Sequence, residues 1–364
     1  MTSKKTSLVA AAAALALAGS LGACSASDSD DAMTPIDFGL PTTMGANNAP
    51  LAVAVGLGYF EDEGLDVNIV GTGGSAPTVQ AVLSGQLDIG SATPEPVLQL
   101  AESGAEFGGV TMIYNYIRKP TGAIAVLADS DFEKLEDFAG VTIGNSSLGS
   151  GNLILANAIL SSVGLEQDQD FSHVAVGTGA AALQALTSNE VQALSLWDTE
   201  YAAMEVQGVE LRTFTSEQAS ELFSTTFFAS PRFIEENPDA VIGFGRAMAR
   251  ATYFTQLNPS AALRVMYEAF PETRAAGLSE EEQLTNDLVA LEARLTLLTA
   301  DDPQASGQWG SYSAEAVTSW TEFAFTSEII GAELDPATLY TNDFVADYND
   351  FDAAAVEADA QDAR

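Results

Sequence analysis

Val70-Gly71-Thr72-Gly73 returns about 100 residues later as Val176-Gly177-Thr178-Gly179, and the surroundings of each copy return with it. Downstream, Val79-Gln80-Ala81-Val82-Leu83-Ser84 is answered by Leu183-Gln184-Ala185-Leu186-Thr187-Ser188. Leu87-Asp88-Ile89-Gly90-Ser91 is answered by Val191-Gln192-Ala193-Leu194-Ser195. Upstream the echo is weaker: Ile36-Asp37-Phe38-Gly39 parallels Val141-Thr142-Ile143-Gly144, and Gly64-Leu65 parallels Gly164-Leu165. Each copy reads as strand, helix, strand, helix, strand. In the first, apolar runs from Ile36 to Gly39 and from Val67 to Gly71 flank a helical stretch from Ala49 to Phe60, ending near Gly58. In the second, the runs from Val141 to Gly144 and from His173 to Val176 flank a helix from Asn152 to Val163. Strands alternating with helices of this length predict an α/β fold of mainly parallel sheets flanked by helices, with right-handed crossovers. Two copies predict two lobes. Ligands of open α/β sheets bind at the carboxyl ends of the strands, so facing lobes predict a cleft site between them.

The lobes are not simply consecutive. Thr226-Phe227-Phe228-Ala229 is extended and Pro231 then opens a helix. Helical segments follow from Pro238 to Leu257, Ser260 to Phe270, Glu280 to Leu298 and Ser313 to Ile330, and the first lobe is the surface expected to receive them. The expected organisation is a discontinuous first lobe (35–124 and 229–345) and a second lobe (125–228). The crossings fall near Ala123 to Ala128 and Thr225 to Ser230, and residues 346–364 form a frayed acidic tail.

The 364 residues are 47% apolar and 18% charged, enough to fold as two domains. Thirteen Lys and Arg against 51 Asp and Glu leave a net charge of −38, which excludes a nucleic-acid partner that needs clustered cations. One His and one Cys allow neither a His/Cys metal site nor an internal disulfide, so no metal and no cofactor are expected. Walker A, GxGxxG, HExxH and GxSxG motifs are absent from the chain after its leader. His173, at a strand start with no nucleophile at motif spacing, reads as structural.

Lys4 and Lys5 precede an apolar run from Leu8 to Ala18, followed by small residues up to Cys24. That pattern reads as a secretory leader over residues 1–23, too short to span a bilayer. Leu21-Gly22-Ala23-Cys24 resembles a lipobox, which marks Cys24 for lipidation; the alternative is an ordinary leader with an incidental Cys. Residues 24–34 are polar and acidic, suited to a flexible tether. The folded part is expected outside the cytoplasm, held to the membrane by lipid.

Small polar residues follow the first strand of each copy, from Pro41 to Asn48 and from Asn145 to Asn152. Such loops either cap helices or offer free N–H groups and hydroxyls to a ligand. The loops after the third strands, Ser91 to Pro96 and Ser195 to Glu200, add two acids and an indole. The candidate ligand contacts are Thr43, Asn47, Ser91, Thr93 and Glu95 from one lobe, with Ser147, Ser150, Asn152, Trp197 and Asp198 from the other. Trp197 suits stacking on a planar ligand, and Glu95 and Asp198 suit an amine or aminopyrimidine. Tyr114 and Tyr116 read as packing residues, and Arg118-Lys119 as a solvated turn.

Gly58-Tyr59-Phe60-Glu61-Asp62-Glu63-Gly64-Leu65-Asp66-Val67 and Ala81-Val82-Leu83-Ser84-Gly85-Gln86-Leu87-Asp88-Ile89-Gly90 resemble stretches of the substrate-binding proteins of nitrate/sulfonate/taurine-type ABC importers. That superfamily includes the thiamine-pyrimidine (NMT1/THI5-like) binders. Phe138 to Gly144, Trp197-Asp198 and Phe233 to Pro238 match later segments, so the likeness spans roughly Ile36 to Leu257. It implies a two-lobed, type II periplasmic-binding fold that closes on a small solute and presents it, as a monomer, to ABC permease subunits. Tyr340-Thr341-Asn342-Asp343-Phe344 resembles a segment of the pyrimidine binders, whereas the Ser/Gly loop from Ser147 to Asn152 suits a sulfonate or taurine-like anion. No Arg stands in the cleft loops, which tilts the reading toward the ring. Pyrimidine synthases of the superfamily carry a cysteine-rich motif that is missing here. The alternatives are a secreted α/β enzyme acting on a small metabolite and a surface lipoprotein that binds another protein.

Overall fold

The computed structural model describes residues 33–104 and 109–363; the leader, Cys24 and most of the tether lie outside the described residues. The chain opens with β1 (Thr34–Leu40), α1 (Ala49–Gly56), α2 (Tyr59–Asp62), β2 (Leu65–Gly71), α3 (Ser75–Leu83), β3 (Ile89–Ala92), α4 (Pro94–Glu102) and β4 (Thr111–Asn115). It crosses into β5 (Gly122–Leu127), β6 (Val141–Asn145), α5 (Gly151–Ser161), β7 (Phe171–Ala175), α6 (Gly179–Thr187), β8 (Ala193–Trp197), α7 (Asp198–Val206) and β9 (Leu211–Phe214). It returns through β10 (Thr226–Ala229) to α8 (Pro231–Glu236), α9 (Pro238–Leu257), α10 (Pro259–Ala269) and α11 (Glu280–Leu298). The last elements are α12 (Pro303–Ser306), α13 (Ala314–Thr326), α14 (Val345–Tyr348) and α15 (Ala353–Asp362).

Among the described residues two five-stranded sheets result, ordered β2-β1-β3-β10-β4 and β7-β6-β8-β5-β9. The sequence echo is therefore a structural one: β1 and β6 take the same place, as do β2 and β7, and β3 and β8. β1 runs parallel to β2 from Thr34↔Leu65 to Leu40↔Gly71, and β6 runs parallel to β7 from Val141↔Phe171 to Asn145↔Ala175. In each sheet one strand is antiparallel to both of its neighbours, β10 in the first and β5 in the second. Both are strands that the chain lays down on crossing between lobes, so the sheets are mixed where uniform crossover connections would have made them parallel.

The crossings differ from expectation. Ala123–Ala128 and Thr225–Ser230 are largely strand, paired inside β5 and β10, and the chain passes between sheets over residues 116–121 and 215–225. Apolar runs of this kind are pulled into a ladder because an unpaired buried backbone costs more than the strand does. The helix expected from Ala49 to Phe60 is likewise two helices. Gly58 lies between them at φ 75°, a left-handed conformation open to glycine at little cost.

The first lobe's core is aromatic. Phe244 of α9 stacks on Phe60 at 5.0 Å and meets Phe38 at 5.0 Å and Phe227 at 5.6 Å, which fixes α9 against β1 and β10. A second apolar cluster runs through both lobes, joining Val82, Leu98 and Phe323 to Val126, Ile143 and Ile159. The lobes therefore share packing, and α11 of the first lobe also packs on α7 of the second.

The C-terminal segment is not frayed. Asp352 Oδ1 accepts from the amides of Ala354 and Ala355 at 3.0 and 3.2 Å, starting α15. Val356 and Ala360, one turn apart, are buried against α9. Asn258 Nδ2 donates to Ala360 O at 2.8 Å, and the Tyr59 hydroxyl donates to Asp359 at 3.2 Å. A two-residue apolar stripe among acids gives little hydrophobic signal, and only the waiting groove on α9 decides its state. Among the described residues no helix is long and apolar enough to cross a membrane.

Candidate ligand-binding site

At the carboxyl ends of β1, β3, β6 and β8 the lobes enclose an inner cavity of about 70 Å³, which shares Asn47, Ser146 and Trp197 with the lining of an outer cleft of about 540 Å³. Six of the ten expected contacts line the inner cavity: Asn47, Ser91, Thr93, Ser150, Asn152 and Trp197. Thr43 and Ser147 stand on the outer cleft. The remaining two, Glu95 and Asp198, do not reach the inner wall. Glu95 points instead into a separate cavity of about 10 Å³ behind Thr93 and Asn152.

Whether the loop hydroxyls cap helices is decided by their hydrogen bonds. Thr93 and Ser150 stand at the N-cap positions of α4 and α5, yet neither side chain makes a capping hydrogen bond. Thr93 Oγ1 donates instead to Ser75 Oγ at 3.4 Å, and Ser150 lines the cavity. Asn48 is held inward instead, its Nδ2 donating to Thr42 Oγ1 at 3.1 Å and Thr43 O at 3.2 Å.

Trp197 ends β8, a strand buried at every residue. Its corner is fixed from behind by Tyr201, whose hydroxyl accepts from the Leu196 amide at 2.6 Å and donates to Ala123 O at 2.7 Å. The indole Nε1–H is buried with no hydrogen-bond partner. Tyr116, read from sequence as a packing residue, also lines the inner cavity. It stacks on Phe227 at 4.7 Å and leaves its hydroxyl buried and unpartnered. Burial holds that phenol protonated, well above its ordinary range, so it remains a donor. Leaving such groups unpaired costs about 1–3 kcal/mol each.

The cavity does contain a cation, contrary to the expectation drawn from the loops. Arg294 of α11 reaches its wall from a helix about 100 residues beyond Trp197. Its Nε and Nη2 donate to the two oxygens of Asp198 at 2.9 and 2.6 Å, and Nη1 donates to Asn47 O at 3.3 Å. Burial disfavours the guanidinium charge, and the Asp198 carboxylate more than restores it. Asp198 is thus a counter-ion with both oxygens committed, and the pair leaves the inner wall without net charge. The outer cleft is lined by Glu200 and Asp287 and by no cation. An i, i+4 pattern on α11 marks it as amphipathic, but nothing local points Arg294 at the cleft.

His173 is absent from the cavity lining. Asn145 Nδ2 meets its Nδ1 at 2.7 Å and its Nε2 meets Asn157 Oδ1 at 2.8 Å, an arrangement in which the ring accepts at one nitrogen and donates at the other. Desolvation lowers its pKa to about 4, consistent with a neutral ring clamping β7 to β6 and α5.

Among curated proteins, the formylaminopyrimidine-binding protein of Halalkalibacterium halodurans is 23% identical over 299 residues, covering 80% of this chain and 86% of that protein. A 4-amino-5-hydroxymethyl-2-methylpyrimidine phosphate synthase of Aspergillus parasiticus is 25% identical over 244 residues, covering 62% of this chain and 67% of that protein. Among solved structures, the alkanesulfonate-binding protein SsuA of Xanthomonas axonopodis pv. citri, bound to MOPS, superposes with a TM-score of 0.63 at 16% identity. It covers 85% of this chain and 98% of that one. That likeness establishes the periplasmic-binding-protein fold. The family described as NMT1/THI5 like matches residues 45–262, well over half of the sequence, and the chain belongs to that family.

Proposed function

We propose that this protein is the extracytoplasmic solute-binding component of an ABC importer, a monomer tethered through a lipid on Cys24. Its solute is an uncharged, flat heterocycle rich in hydrogen-bond acceptors, of the pyrimidine type, and not a sulfonate. One observation carries the choice: the cavity's guanidinium is already matched by Asp198, while the buried donors of Trp197 and Tyr116 have no partner. An anion would enter past Glu200 and Asp287 to a wall with no positive charge to spare, whereas ring nitrogens or carbonyl oxygens satisfy both donors. The named ligand of the Halalkalibacterium relative is of this class. Asn47, Ser91, Thr93, Ser150 and Asn152 complete the polar wall, contributed by both lobes, so full contact forms only when the lobes are closed.

Binding without turnover is the companion claim. The chain's one His lies outside the cavity with both ring nitrogens occupied, which removes the obvious general base. Calorimetry against a formylaminopyrimidine, an alkanesulfonate and nitrate tests the solute class. Saturable binding of the pyrimidine alone, with the pyrimidine recovered unchanged by chromatography, supports the reading. Preferential sulfonate or nitrate binding refutes the solute class, and consumption of the pyrimidine favours the enzyme reading.

A further inference from the structure

Three glycines stand where the lobes touch across the cleft, and at two of them the only space for a side chain is taken by the opposite lobe. A Cβ on Gly74 would meet Gly149 O at 2.7 Å, Gly149 C at 2.9 Å and Ser147 Oγ at 3.2 Å, all second-lobe atoms. A Cβ on Gly151 would meet Thr93 Oγ1 at 1.7 Å, Thr93 Cβ at 3.0 Å and Glu95 Oε2 at 3.2 Å, all first-lobe atoms. On Gly149 the nearest atom would be Pro77 Cδ, again from the other lobe, at 3.2 Å. Neither Gly74 nor Gly151 is needed for its own backbone. Gly74 is extended at φ 163°, and Gly151 is the first residue of α5 without a positive φ. Alanine is therefore locally acceptable at both, and the obstruction exists only across the cleft.

What the missing side chains permit is backbone contact. The Ala76 amide donates to Gly149 O at 3.3 Å, and Ser147 Oγ donates to Gly73 O at 2.9 Å. Gly74 and Gly151 both line the inner cavity, so the seam is the rim of the site. We infer that Gly74 and Gly151 are the positioning residues that set how far the lobes close, with every ångström of separation at the seam withdrawn from contacts to the solute. The inference rests on the closure reading above. Protein backbones at 2.7–2.9 Å from a new methyl carbon cannot absorb it by a rotamer change, so Gly74→Ala holds the lobes apart. At Gly151 the nearest obstruction is one hydroxyl, so its effect is relieved by shortening Thr93.

Spin labels at Ser84 and Ser188, exposed and matched positions after α3 and α6, report the distance between lobes by pulsed EPR. The expected result is a short-distance population in the wild type that is lost in Gly74→Ala and in Gly151→Ala. The unfolding midpoints of both variants stay within a few degrees of wild type, and affinity for a formylaminopyrimidine falls at least tenfold. Adding Thr93→Ala to Gly151→Ala restores part of the short-distance population. Identical distance distributions in wild type and both variants, with and without the pyrimidine, overturn the inference. If the variants lose the short distance but no pyrimidine shifts the wild type, the seam stands and the solute assignment falls.

Discussion

Replacing Glu95 by Gln should make the protein more stable at pH 8 and leave it nearly unchanged at pH 4.5. The carboxyl lies at the second residue of α4, fully buried between the lobes, with Oε2 unpartnered. Desolvation raises its pKa from 4.5 to about 7, against smaller opposing effects of hydrogen bonds from Thr93 and from its own backbone amide. A folded-state pKa above the unfolded value means that the native chain retains a proton the unfolded chain releases. The stabilisation linked to that proton is complete below pH 4.5 and is lost as the pH rises through 7. At ~1.36 kcal/mol per pH unit, the window from pH 4.5 to about 7 is worth roughly 3 kcal/mol. Glutamine has no such window. Urea unfolding of both proteins at pH 4.5, 6 and 8 should therefore show the stability difference, variant minus wild type, growing by ~2–3 kcal/mol. Parallel pH profiles would refute the reasoning, because they would mean that Glu95 titrates alike in the folded and unfolded chains.

Other perturbations separate the parts of the site. Trp197→Phe keeps an aromatic face but removes the indole and its unpartnered Nε1–H, and should weaken pyrimidine binding roughly tenfold, measured by calorimetry. Arg294→Met strands the buried Asp198 carboxylate and should cost ~3–5 kcal/mol in denaturant unfolding, most of it regained in Arg294→Met/Asp198→Asn; an equal loss in the double variant contradicts the counter-ion role. His173, held neutral with a pKa of about 4, contributes stability that is present above pH 6.5 and lost as pH falls toward 4, so His173→Gln should flatten the acid limb of the stability profile by ~2–3 kcal/mol. Val356→Asp should lower the melting temperature by placing a charge in the α9 groove, whereas the same change at exposed Ala354 should not.

The repeat made the architecture readable because both copies use the same local chemistry: a strand, a loop of small polar residues, a helix, and a strand again. Each of these steps depends on neighbours within a few residues, and the loops at the strand ends carried most of the polar cavity wall with them. Trp197 was visible because it stands where a mainly apolar strand gives way to the acidic start of a helix. Tyr116 was not: its neighbourhood is a buried strand end, and a hydroxyl without a partner can be recognised only after every possible partner has a position. The same holds for Glu95, whose loop resembles a ligand loop while its side chain turns behind the wall.

The chain alone therefore determined the alternation of elements, the two lobes and the strand ends at which the cavity lies, since periodicity and loop composition are local properties. Tertiary structure alone decided the charge of the site. Arg294 and Asp198 are 96 positions apart, and their meeting depends on how α11 packs across α7, an arrangement no local pattern encodes. It also decided that α15 docks, that β5 and β10 join sheets as antiparallel strands, and that Gly74 and Gly151 face the opposite lobe. Each of these is fixed by excluded volume and pairing between segments remote in sequence, which become neighbours only when the backbone has closed on itself.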